Sequence, residues 1–441
     1  MSDLLAARFQ MGMSLAFHIV FAVVGIAMPV MMVLAEHRWR KSGESVYLDL
    51  AKRWARGTAI LFAVGAVSGT VLSFELGLLW PDFMRFAGAI IGMPFSLEGF
   101  AFFTEAIFLG VYLYGWERVS PRAHRFAGVM VAVSGALSGI FVVTANAWMN
   151  TPAGFDLVDG AAVNVRPLAA MLNAAAPAQV LHMTLAAYAA TGFAVAGIHA
   201  LLILRGRRAP FHRSAMTIAL LVGAPAAVLQ PLSGDYAATT VAKHQPAKLA
   251  AMEALFETRS GAPITLGGWP DAAARRTRFG IALPYALSLL AFRNPGATVQ
   301  GLDSVPRDQW PNLPAVHLSF DVMVACGTYL AIVGLWAAWL AVRRVDPAGR
   351  RGFLRAVVFG APLGFIAIET GWMVTELGRQ PWIIYGVLRT ADAVTPMPGQ
   401  PWRTGVFALI YVFLAVVVTA LLSRHIVTSP MHTGELRGTR A

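Results

Sequence analysis

The chain has 441 residues, 57% of them hydrophobic and only 13% charged, with a formal net charge of +12. A mean hydropathy of +0.61 excludes a water-soluble domain of this size and makes the chain an integral membrane protein. The single cysteine, Cys326, excludes an intrachain disulfide and a thiolate cluster for zinc or iron and sulfur, and reads as a small core residue.

The apolar runs predict an all-α fold of nine transmembrane helices, at about 11–35, 57–79, 96–116, 126–147, 179–204, 214–233, 315–342, 356–377 and 403–423. The first run follows a polar start without a small-residue cleavage site, so it reads as a retained helix and not a signal peptide. Basic residues crowd alternate connections: Arg38 to Arg56, then Arg118, Arg122 and Arg125, then Arg205, Arg207, Arg208 and Arg213, then Arg343 to Arg355, and finally Arg424, Arg437 and Arg440. The positive-inside rule makes that side cytoplasmic, with the N-terminus outside and the C-terminus inside. Topology therefore accounts for the net charge, and nothing supports a nucleic-acid partner. The whole chain, 1–441, reads as one transmembrane domain. Its only long connection, 234–314, is external, with an amphipathic helical piece near Pro246 to Glu257, and is expected to form a folded cap.

Ionisable residues inside membrane spans are rare and tend to face a bundle interior. Here they are His18, Glu75, Glu98, Glu105, His182, His199, His317, Asp321, Glu369 and Glu376. Counted along the helices, nearly all fall within roughly 15 Å of the outer surface. His199 alone lies near the cytoplasmic end, where its tip is expected to reach the interface. His317 reads as an interfacial histidine. Residues that merely fill a core would scatter in depth, so the layering points to one cofactor-bearing zone near the outer face. Imidazole, thioether and carboxylate all ligate haem iron, which brings Met323 into view beside His18 and His182. On residues alone, core histidines or proton relays compete with haem ligands. A proton-coupled transporter and a haem b quinol dehydrogenase with another acceptor both stay open.

Two carboxylate pairs share one spacing. Glu98 and Glu105, like Glu369 and Glu376 in the stretch IAIETGWMVTELGRQPW, are seven residues apart and lie on one helix face. Ser134 and Ser138 fall at comparable depth, so acids and hydroxyls form a candidate proton relay. Glu376 reads equally well as an ion-pair partner of Arg379.

Several longer motifs then carry a resemblance across essentially the whole chain. They are RFQMGMSLAFH, SFELGLLWP, LEGFAFFTEA, VTANAWMNTP, AQVLHMTLAAY, KLAAMEALFET, VMVACG and ETGWMVTELGRQPW. The chain resembles subunit I of cytochrome bd-type quinol oxidases, and more closely their cyanide-insensitive branch. The resemblance implies a terminal oxidase of the bacterial inner membrane that oxidises ubiquinol near the outer face and reduces O2 to water with cytoplasmic protons. It implies three haems, two of type b and the third d or b. His18 and Glu369 would ligate high-spin haem iron, and His182 with Met323 the low-spin haem b. Glu98 would be a second ligand or proton donor, with Glu105, Ser138 and Asn146 on the proton route. Lys248 and Glu253 would contact quinol in the external Q-loop. Five residues apart, about 140° on a helix, they would flank a ring instead of pairing. Arg379 and Gln380 would hold haem propionates. A haem-free multi-helix subunit II, a single-helix small subunit and membrane lipid are the implied partners. Asp321, two residues before Met323, stands where the best-known members of the family carry Arg.

Overall fold

The structure, a computed structural model, describes residues 2–207 and 209–424. Arg208, Arg437 and Arg440 of the basic connections lie outside the described residues. Among the described residues, nine helices are long and apolar enough to cross a membrane. In chain order the helices are α1 (Asp3–Ser42), α2 (Ser45–Leu79), α3 (Pro81–Tyr114), α4 (Pro121–Asn150), the short α5 (Pro167–Met171), α6 (Ala176–Leu204) and α7 (Pro210–His244). They continue with α8 (Pro246–Met252), α9 (Ala286–Phe292), α10 (Leu313–Val342), α11 (Arg351–Gly360), α12 (Leu363–Leu377), α13 (Thr390–Ala393) and α14 (Gln400–Leu422).

The sequence dictates many of these ends. Proline occupies the first turn of α3, α4, α7 and α10, where a missing N–H costs nothing. Ser120 and Asn312 cap α4 and α10 by accepting from Ala123 N and Ala315 N. The eighth span is two helices, α11 and α12, separated at Ala361 and Pro362, because Pro362 has no N–H to continue the ladder. Helix α7 runs to His244, so the long connection begins at Gln245 and not at 234. The residue before Pro246 is pushed out of the helical region, and nothing earlier breaks the helix.

Helix α6 sits centrally, packed on α7, α11, α12, α4 and α1. Small residues permit this. A Cβ placed on Gly192 would lie 2.5 Å from Gly223 Cα, and one on Gly364 would lie 2.4 Å from Ala190 Cα, so backbones meet without side chains between them. The basic-side half of the bundle is a continuous core that includes Met31, Met32, Leu50, Phe193, Met216 and Phe353. The opposite end, called the loop side below, carries the folded segment after α7. In it α8, α9 and three antiparallel ribbons enclose Leu249, Met252, Leu255, Phe256, Leu287 and Leu302. One ribbon pairs Ile264–Leu266 with Ile281–Leu283, and Asp303 fastens the segment by accepting from Thr258 N and Thr258 Oγ1.

Candidate functional site

The loop-side half of the bundle is hollow. One cavity of about 2160 Å³ runs between α1, α3, α4, α6, α7, α10 and α12 and reaches the folded segment. That is more than twice the upper end of the roughly 300–1,000 Å³ that suits one small ligand. Its wall is mostly apolar, and it carries His18, Glu98, Glu105, Ser138, Asn146, His182, Lys248, Glu253, Met323, Arg379 and Gln380. The structure therefore brings His18, Glu98, Glu105 and His182, placed in one layer by depth, onto one wall with residues that only the resemblance singled out, such as Lys248, Glu253 and Gln380.

His18 Nδ1 lies 2.9 Å from Ser68 Oγ on α2, and His182 Nδ1 lies 3.0 Å from Ser233 Oγ on α7. The Gln230 amide nitrogen lies 3.3 and 3.2 Å from the two ring nitrogens of His182 and donates to the His182 carbonyl. Met323 faces the same space from α10. Gly371 makes room for it, since a Cβ there would lie 2.8 Å from Met323 Sδ. Ser138 Oγ donates to Glu98 at 3.4 Å. Ser134 instead donates to its own helix at Met130 O, 2.6 Å away. Gly135 opens the space that Glu105 occupies, with a built Cβ only 3.1 Å from Glu105 Oε1.

Glu369 is not on this wall. The cavity is lined by Ile368, Gly371, Trp372 and Glu376 of α12, and Glu369 Oε1 is buried without a hydrogen-bond partner. Glu376, one heptad nearer the loop side, is the α12 carboxylate that reaches the cavity. It accepts from Asn146 Nδ2 at 2.5 Å and from Arg379 Nη2 at 2.5 Å. The Arg379 ion pair expected from sequence is thus present, within a larger network. Lys248 Nζ donates to Asn150 Oδ1 (2.5 Å) and Thr375 O (3.0 Å), and Asn150 Nδ2 donates to Asn146 Oδ1 at 3.2 Å. A continuous chain of hydrogen bonds therefore runs from the loop lysine to Glu376 and Arg379. Gly378 leaves the path for Lys248, whose Cγ would be 2.8 Å from a Cβ at that position.

Lys248 and Glu253 are both almost fully buried. Burial pushes the Lys248 ammonium well below the usual lysine range, and the nearby Arg379 charge adds to this. Burial pushes the Glu253 carboxyl up to about 8, with Asp321 adding to the rise and a hydrogen bond from Thr265 N opposing it. Arg379 is lowered by burial and partly restored by Glu376. Gln380 Oε1 accepts from Thr390 Oγ1 at 2.8 Å.

Two expected interfacial histidines are interior. His317 is fully buried, with Nδ1 2.7 Å from Met252 O and Nε2 3.1 Å from Gly267 O. Its neighbour Asp321 accepts from Gly267 N at 3.0 Å, so the departure beside Met323 ties α10 to the folded segment. His199 is buried and its Nδ1 lies 3.0 Å from His212 Nδ1; α7 covers the face that was expected to meet the interface. Glu75 belongs to a separate cluster off the cavity, accepting from Gln10 Nε2 at 2.8 Å.

No bound group is needed to test whether this wall suits haem. Glu105 Oε1, Gln230 Oε1 and Arg379 Nη1 are buried on it without partners, whereas buried polar atoms are nearly always satisfied. Of these, Arg379 Nη1 is a donor suited to an anionic edge such as a propionate, while Glu105 Oε1 and Gln230 Oε1 are acceptors that call for a donor. The donor set of two imidazoles, a thioether and a carboxylate is one that haem iron accepts.

The family model for cytochrome bd terminal oxidase subunit I matches residues 6–430. The chain belongs to that family. A Bacillus subtilis (strain 168) protein provisionally named cytochrome bd menaquinol oxidase subunit I is 36% identical, covering 99% of this chain and all of its own length. The cytochrome bd ubiquinol oxidase subunit 1 of the same organism is 31% identical, covering 98% of this chain and 95% of that protein. The solved bd oxidase from Geobacillus thermodenitrificans superposes with a TM-score of 0.91 at 38% identity, covering 97% of this chain and 99% of that one. The family is one of quinol:oxygen oxidoreductases, and this subunit is a multi-pass protein of the bacterial cytoplasmic membrane.

Proposed function

We propose that this chain is the haem-bearing subunit of a terminal oxidase that takes electrons from ubiquinol at the loop side and reduces O2 to water with protons from the basic side. The single observation that carries the reading is the one cavity, on whose wall His18, His182, Met323, Glu376, Lys248 and Glu253 all stand. The relatives are named for both menaquinol and ubiquinol, and the reading adopts ubiquinol. In this reading the loop side faces outward, and a haem-free multi-helix subunit II, lipid and a small single-helix subunit cover the exposed apolar faces.

His182 and Met323 would hold a low-spin haem b, while His18 and Glu376 would hold the two high-spin haems, two of the three haems being b and the third d or b. The iron-ligand role expected of Glu369 passes to Glu376, the α12 carboxylate that reaches the cavity. When bound, the haems supply electron transfer and the reduction of O2. The protein's own part is to bind quinol, move protons and exclude water. Lys248 and Glu253 flank the quinol ring, and Glu253, buried and with its carboxyl raised to about 8, takes a proton from it near working pH. Glu105, Glu98, Ser138 and Asn146 pass protons inward from the other side. Arg379, with Nη1 free of protein partners, and Gln380 bind propionates. Proton release on one side and uptake on the other separate charge without a pump.

A reduced-minus-oxidised spectrum of the purified complex, with quinol-driven oxygen uptake, tests this. Haem bands and uptake are expected, and His182→Ala or Met323→Ala should remove the low-spin signal from an assembled complex. Absence of haem would leave a transporter, and haem without oxygen uptake a quinol dehydrogenase.

A further inference from the structure

The histidines His18 and His182 stand on different helices, yet each is met by the same dipeptide on its neighbour. Ser68 and Gly69 of α2 face His18, and Ser233 and Gly234 of α7 face His182. In each case the serine oxygen lies about one hydrogen bond from Nδ1, at 2.9 and 3.0 Å. The following glycine leaves room for the ring edge. A Cβ at Gly69 would lie 3.0 Å from His18 Cε1, and one at Gly234 would lie 3.4 Å from His182 Cε1. Both serines are buried, and neither lines the cavity, whereas both histidines do. The serines stand behind the rings and touch nothing bound in the cavity.

The direction of each hydrogen bond follows from where the hydroxyl hydrogen goes. Ser68 Oγ lies 3.0 Å from Val64 O and 3.1 Å from Gly65 O, and Ser233 Oγ lies 2.8 Å from Gln230 O. One hydroxyl has one hydrogen, and a helix carbonyl can only accept. With that hydrogen given to the carbonyl, the serine oxygen accepts from the ring. The ring proton is then on Nδ1, and Nε2 carries the lone pair, which at His182 is met by the Gln230 amide nitrogen at 3.2 Å, the contact an iron there would displace.

We infer that the Ser68-Gly69 and Ser233-Gly234 dipeptides are matched seats that fix His18 and His182 as the Nδ1–H tautomer, presenting Nε2 to iron. The inference rests on the haem reading above. Ser68 and Ser233 are positioning residues, acting through the histidines. A ligating imidazole whose other nitrogen donates a hydrogen bond is oriented and made more basic. A more basic ligand favours ferric iron, so removing the acceptor raises the midpoint potential of the haem concerned.

The test is a spectroscopically monitored redox titration of the intact complex with Ser233→Ala, Ser233→Thr, Ser68→Ala and Ser68→Thr. Each alanine variant should raise the potential of one haem, low-spin for Ser233 and high-spin for Ser68, and each threonine should restore it. If an alanine variant loses its haem signal instead, restoration by threonine supports the seat and failure to restore it overturns it. Unchanged potentials in both alanine variants overturn it as well. His182→Ala and His18→Ala are run in parallel: retention of the matching haem signal there rejects the ligand assignment itself, which separates that failure from failure of the seats.

Discussion

The same long helices build two unlike halves. On the basic side α1 contributes Met28, Met31, Met32 and Ala35 to a closed core, and its one buried acid, Glu36, is held by Arg40 at 2.7 Å and His124 at 3.1 Å. On the loop side the same helix contributes His18 to a cavity of about 2160 Å³, where acid, amide and guanidinium atoms are left without protein partners. Protein interiors are otherwise packed like organic crystals. The dense half fixes where the helices stand, so the hollow half can hold its side chains apart for bound groups. The contrast is one of packing more than of polar satisfaction, since Glu36 Oε2 in the dense half also lacks a partner.

The sharpest way to break that comparison lies on α12, where two carboxylates one heptad apart fall on opposite sides of it. Glu376→Gln should lower quinol oxidase turnover by at least the ~10–100-fold typical of groups that support a metal site, with a changed high-spin spectrum. Glu369→Gln should stay within about threefold of wild type, since a neutral amide suits its dry surroundings better than a charge. Oxygen uptake and spectra of both variants decide it. A large loss at Glu369 with normal Glu376 would restore the expectation drawn from sequence.

That expectation shows what a sequence carries and where it stops. Nine spans and the depth of His18, His182, Glu98 and Glu105 follow from periodicity and counting, because helix rise converts position into depth, whereas Met323 is singled out as a ligand only by the family resemblance. Which of two acids on one stripe reaches a cavity does not follow. Seven residues leave a helix facing the same way, and only the α12 start at Leu363 and its crossing with α6 at Gly364 set the height. His317 is interior and not interfacial for a related reason: its partners, Met252 O and Gly267 O, are backbone atoms of a segment that sequence shows only as a long connection. The glycines beside functional groups were legible in principle. Gly371 and Gly378 repeat the seven-residue spacing of the acids, and their meaning appears once Met323 and Lys248 are seen filling the space.

A second contrast sets Glu253 on the loop side against the closed core on the basic side. Its carboxyl is raised to about 8 by burial, so a proton-accepting role requires the ionised form, and kcat/KM for quinol should rise as pH increases through about 8. Glu253→Gln should lose this limb and fall in rate by about 10²-fold or more, the scale of a positioned acid or base, while every haem band persists. A flat wild-type profile between pH 6 and 9 would remove the proton-accepting role and leave Glu253 a binding group at most.

The smallest effect on activity is expected from the dense half. Phe193 on α6 is fully buried in the basic-side core and packs against Gly360 of α11, where a Cβ would lie 3.5 Å from its ring. Phe193→Leu keeps an apolar group but gives up part of the ring's volume, so the expected loss of stability is about 1–2 kcal/mol. It should appear as a lower thermal midpoint, with turnover and haem spectra unchanged, because Phe193 does not line the cavity. If the substitution instead shifts a haem potential or slows quinol oxidation at temperatures where the complex is intact, the dense half is doing more than holding the helices. The division between a structural end and a chemical end of the bundle would then have to be withdrawn.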